Sequence, residues 1–122
     1  MKEFDYLIIG GGCSGLSLAY ELEINGKLKD KTLAIIEPRK KYSRDKTWSF
    51  WKVFNHNFED CVIKSWNNFT VNSSEGSQEL SNINFPYQSI DSGKFYEKIN
   101  SKLSANSNIN FFKKLNDINS KI

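Results

Sequence analysis

Two short, unbroken apolar runs open the chain, Tyr6–Ile9 and Thr32–Ile36, and each is followed at once by polar or glycine residues. Runs of that length without polar interruption predict strands of a parallel sheet buried on both faces, with Tyr6–Ile9 as a central strand. Between them Leu16, Leu18, Ala19 and Leu22 predict a helix with one apolar face, opening near Cys13 and ending at Asn25-Gly26. Pro38 stops the second strand just after Glu37.

The pattern then changes. From Arg39 to Asn57 charged residues mix with Tyr42, Trp48, Phe50, Trp51 and Phe54, and no helix or strand period fits, which predicts an aromatic-rich loop anchored under a domain or around a ligand. Asp60–Ile63 and Ser65–Val71 read as strands, and Ser73-Ser-Glu-Gly76 reads as a turn leading to a returning strand Ser77–Leu80. These predict an antiparallel hairpin inserted at about residues 58–86, with Asn82–Pro86 as connection. Asp91 or Ser92 then caps a helix carrying Phe95, Ile99 and Leu103 on one face and ending near Asn106. Ile109–Phe112 is expected to be a third parallel strand beside the second. The tail from Lys113 offers neither helix nor strand.

The junction of the first strand and first helix carries the chemistry. Gly10, Gly12 and Gly15 have the G-x-G-x-x-G spacing, in which the glycines permit a tight turn, the approach of a pyrophosphate and the packing of helix on strand. The free N–H groups of the first helical turn, backed by the helix dipole, suit an anion. Glu37 follows Gly15 at about the twenty-residue spacing of the acid that binds a ribose hydroxyl. A carboxylate there repels a 2′-phosphate, so FAD or NAD is favoured over NADP at this half-site. The candidate cofactor-binding set is Gly10, Gly11, Gly12, Cys13, Ser14, Gly15, Glu37 and Arg39. Arg39, and less directly Arg44, could reach a diphosphate through a guanidinium. The fold class this predicts is α/β: a doubly wound Rossmann-type half with an inserted hairpin.

Composition narrows the function. At 122 residues the chain is short for a two-domain flavoenzyme, which predicts a partial amino-terminal domain spanning residues 1–122 of a longer protein. Seventeen basic and 14 acidic residues are interspersed, for a net charge of +3, and no basic stripe suggests nucleic acid. Two cysteines, Cys13 and Cys61, and a single histidine, His56, make neither a disulfide framework nor a metal site. His56 reads as an ordinary surface or loop residue. No secretory leader and no membrane-length apolar run is evident.

Taken together, Asp5–Ala19, Ile36-Glu37-Pro38, Asp45-Lys-Thr-Trp-Ser-Phe50, Trp66, Tyr87 and Phe95-Tyr96-Glu97 resemble the amino-terminal third of bacterial lycopene β-cyclases. Lys46 stands where that family commonly has histidine. The resemblance implies a cyclase that folds the ends of lycopene, or a related linear carotene, into β-ionone rings by acid/base isomerisation with no net redox change. It implies reduced FAD, with NADPH as reductant, and a cytoplasmic enzyme peripheral to the inner face of the cell membrane. The family's acidic catalytic motif has no counterpart in these residues, so the catalytic acid is unassigned; Asp91 and Glu97 read as a cap and a helix-face charge. Two other readings keep the nucleotide site. One is an FAD-dependent monooxygenase or dehydrogenase, the other a nucleotide-binding module without catalysis.

Overall fold

The computed structural model describes residues 2–118. The chain divides into two compact units, Met1–Tyr42 with Tyr96–Ile122, and Ser43–Phe95. It is a mixed α/β protein with one parallel sheet and separate antiparallel sheets.

In the first unit β1 (Tyr6–Ile9) leads through α1 (Cys13–Ile24) to β2 (Leu33–Ile36), and β8 (Ile109–Phe112) pairs on the far side of β2. Both pairings are parallel, in the order β1-β2-β8. The third strand therefore lies beside the second, as the sequence predicts. All four residues of β2 are buried. Side chains alternate across a strand, so Ala34 and Ile36 share one face, where they cluster with Phe112 and Ile118, while Leu33 and Ile35 point to the other. Phe4 covers the first of these faces, its ring edge-on to Phe112 at 5.7 Å.

Two expectations fail here. β1 is an edge strand with only Ile8 buried, while Leu7 and Ile9 are 48% and 76% exposed. Among the described residues no strand pairs with its outer edge, so β2 takes the central place. On α1, Leu16 and Ala19 are buried but Leu18 is exposed. At 100° per residue Leu18 points nearly opposite to Leu16, and leucine spacing had to yield to helix geometry. The helix ends as expected. Gly26 adopts φ +67°, its N–H donates to the Glu23 carbonyl and the Lys27 N–H to that of Leu22, the paired bonds of a Schellman motif. The tail also differs from expectation, since Leu115–Ile118 form a short 3₁₀ turn that buries Ile118; residues 119–122 lie outside the described residues.

The second unit is antiparallel. β3 (Thr47–Trp51), β7 (Tyr87–Asp91) and β4 (Val62–Trp66) form one sheet with β7 in the middle, and β5 (Asn68–Ser73) pairs with β6 (Gly76–Ser81). Ser73 faces Gly76, so the hairpin turns on Ser74-Glu75 alone, where the sequence puts its turn. The antiparallel strands thus reach from Thr47 to Asp91, beyond the 58–86 segment expected. Thr47–Trp51 is a strand and not a loop: Trp48 and Phe50 alternate inward between Thr47, Ser49 and Trp51. A period this short hides among neighbouring charges and rings. Phe95 is buried against Trp48 at 4.9 Å and Phe58 at 4.7 Å. α2 (Ser92–Ser104) follows β7 and carries Tyr96, Ile99 and Leu103 into the first unit's core.

Because β2 is buried throughout, Ile35→Ala deletes apolar volume that nothing nearby can replace. It should cost about 2–5 kcal/mol in chemical denaturation; a cost below about 1 kcal/mol would show that the parallel sheet is not the core.

Candidate functional site

Strand register brings the glycine turn and Glu37 together. Ile9 is paired with Ile36, so the residues just past both strands emerge side by side, and the Gly10 N–H donates to the Ile36 carbonyl at 2.9 Å. One residue on, the Gly11 N–H donates to Glu37 Oε2 at 2.8 Å. The other carboxylate oxygen, Oε1, accepts from the Arg39 N–H at 2.9 Å and from Arg39 Nε at 3.0 Å. Burial pushes the Glu37 carboxyl up, but these hydrogen bonds, those of Arg39 first, outweigh it and hold the group below the ordinary carboxylate range.

The carbonyl side of Gly11 is held as well. Its oxygen accepts from the Tyr42 hydroxyl at 2.7 Å and from Arg39 Nη2 at 3.0 Å. The Arg39 guanidinium lies over the Tyr42 ring, 4.5 Å from its centroid, and Tyr42 packs on Tyr96 with centroids 4.7 Å apart. Glu37, then Tyr96, hold Arg39 firmly in its charged form, while burial first and the Glu37 charge next push the Tyr42 hydroxyl up to about 12. Tyr42 and Tyr96 are the members of this cluster that sequence reasoning assigned no role. Tyr96 does fall on the buried face of α2, three residues before Ile99; Tyr42 sits in a stretch with no period to single it out.

Each glycine of the fingerprint has its own constraint. Gly10 has φ +102°, a left-handed conformation that favours glycine. A Cβ on Gly15 would run into the Gly10 carbonyl oxygen, and one on Gly11 into the Tyr42 hydroxyl. Gly12 is different, for a Cβ there would meet nothing within 4 Å. Gly12 is the N-cap of α1, which has no side-chain cap and no acidic residue in its first turn. The opening turn of α1, with half-buried Cys13 and exposed Ser14, has no side chain capping its N–H donors. Burial raises the Cys13 thiol, with a weaker opposing hydrogen bond to Ser17, which keeps it protonated at neutral pH.

Arg44 is paired within the second unit, where its Nη2 and Nε reach the two carboxylate oxygens of Asp91 at 2.9 and 3.0 Å. Asp91 also accepts the Lys94 N–H at 3.0 Å, so it is the N-cap of α2, and that bond, ahead of Arg44, keeps its carboxyl below the ordinary range. A carboxylate so held is unsuited to donate a proton. His56 lies in a loop, as expected, and is half-buried there: Nδ1 accepts from the Phe58 N–H at 3.2 Å and Nε2 lies 3.1 Å from Gln88 Oε1, with the ring against Phe50. Among the described residues no three His, Cys, Asp or Glu side chains converge on a metal position.

The lowered Glu37 carboxyl fixes a pH dependence. Its contribution to stability is full above the ordinary value of 4.5 and is lost as pH falls through the lowered folded-state value. Thermal melts should find Glu37→Gln less stable than wild type at about pH 7, with the gap closing below about pH 4. A gap independent of pH would contradict this.

A model of the lycopene cyclase protein family matches residues 5–120. No curated protein matches the chain. With the family pattern running from the start of β1 to past β8, the chain belongs to the lycopene cyclase family, whose substrate is a carotene.

Proposed function

We propose that this chain is the FAD-binding part of a lycopene β-cyclase-type enzyme, which closes the ends of lycopene into the β-ionone rings of β-carotene by acid/base isomerisation. The observation that carries the cofactor assignment is the open space in front of Gly12 at the uncapped end of α1. Main-chain N–H groups from Gly12 to Gly15 suit the diphosphate, and the order β1-β2-β8 supports a doubly wound, Rossmann-type sheet. Glu37 accepts three hydrogen bonds from its own chain. A carboxylate offers about four acceptor positions, which leaves one for a ribose hydroxyl. Its negative charge disfavours a 2′-phosphate, consistent with FAD as the resident dinucleotide and NADPH as a separate reductant.

Reduced flavin, when bound, supplies negative charge that stabilises a carbocation formed on the carotene. The residues of this chain bind and orient; Glu37 and Asp91, both held below the ordinary carboxylate range, are unsuited to be the proton donor. The carotene dissolves in lipid, so the enzyme works at the inner, cytoplasmic face of the membrane. Val53, Phe54, Ile83 and Phe85 support this, all exposed at the end of the antiparallel sheet where Trp51, Tyr87 and Trp66 lie in one row. No helix among the described residues is long and apolar enough to cross a membrane.

The test is to express the full reading frame in a lycopene-accumulating bacterium and identify the pigment. Cyclised carotene is expected, and none when Gly12 is replaced by valine. Unchanged lycopene alongside a soluble, flavin-loaded protein would point to a monooxygenase or dehydrogenase instead.

A further inference from the structure

Arg39 and Tyr42 flank the glycine turn, and both direct a donor to one atom, the Gly11 carbonyl oxygen. That oxygen belongs to the same peptide unit as the Gly12 N–H. In a planar trans peptide C=O and N–H point in opposite directions, and no cis peptide bond occurs among the described residues. Holding the oxygen on the Arg39–Tyr42 side therefore turns the Gly12 N–H away from both side chains. The Gly12 N–H has no hydrogen-bond partner among the described residues.

The restraint matters because Gly10, Gly11 and Gly12 are consecutive. Peptide planes between glycines rotate at little cost, so a main-chain donor there has no fixed direction unless something outside the turn sets it. Here two side chains fix the carbonyl and Glu37 fixes the N–H on the other side of Gly11.

We propose that Tyr42 and Arg39 are positioning residues that act through the Gly11 carbonyl to aim the Gly12 N–H at the diphosphate of the bound dinucleotide. This rests on the dinucleotide reading above, and it replaces the expectation that Arg39 itself touches the diphosphate. Tyr42 is the cleaner probe. Tyr42→Phe removes the hydroxyl and keeps the ring that stacks on Arg39 and Tyr96, whereas Arg39 also holds Glu37.

The experiment titrates the full chain with ADP and with adenosine, which lacks the diphosphate, and follows the Gly12 amide by ¹H–¹⁵N spectra. Wild type should bind both, with a Gly12 shift only for ADP. Tyr42→Phe should weaken ADP about tenfold, as loss of one hydrogen bond to an aligned group allows, leave adenosine within about twofold, and shrink the Gly12 shift. Arg39→Lys should weaken both ligands, ADP more. Equal losses for the two ligands in Tyr42→Phe, or no loss for ADP, overturn the proposal. Wild type that binds neither ligand contradicts the dinucleotide reading itself, a failure distinct from the first.

Discussion

One hydrogen bond, from the Gly11 N–H to the Glu37 carboxylate, joins the ends of β1 and β2 and gives the glycine turn its shape. It exists because the two strands are parallel and in register, which places their carboxyl ends at the same edge. Glu37 and the glycine turn, 26 positions apart in sequence, thereby become neighbours. The charge of Glu37 then recruits Arg39, Arg39 stacks on Tyr42, and both reach back to the other side of Gly11. The cluster is closed on itself, and what it leaves open is the space before Gly12.

The second unit rests on a different balance. Its central strand, β7, buries Gln88, Ser89 and Asp91 as well as Ile90. Burying polar groups costs free energy unless each finds a partner. Gln88 meets His56, and Asp91 meets Arg44 and the first turn of α2. No buried side-chain nitrogen or oxygen among the described residues lacks a partner. Polar strand and polar neighbours are thus one device, with the aromatic rings of Trp48, Phe58 and Phe95 packed beside it.

These two balances explain what the sequence discloses. β1, α1, β2 and β8 are legible as elements because apolar runs and glycine spacing mark strands and turns, although only in β2 does the run also report full burial. β7 is not, since Tyr-Gln-Ser-Ile-Asp carries no apolar period and becomes a central strand only through partners distant in sequence. β3 hides for a related reason, its alternation being masked by Trp51 at an outward position. At the site, Gly12 and Glu37 are legible from spacing alone. The use of Arg39 is not, because a guanidinium free to meet a ligand and one bonded to Glu37 and the Gly11 carbonyl leave the same trace in sequence. Tyr42 needed the fold, which alone brings its hydroxyl to Gly11.

The central claim is that main-chain donors at an unobstructed Gly12 hold a dinucleotide diphosphate. Gly12 has φ −85° and ψ −164°, extended backbone that valine also adopts, so Gly12→Val fills the space without straining the fold. Titrating the full chain with FAD by flavin fluorescence measures the claim directly. Saturable binding by wild type, with affinity at least about a hundredfold weaker in Gly12→Val at an unchanged melting temperature, is the expected result. Equal affinity in the two proteins would contradict the account.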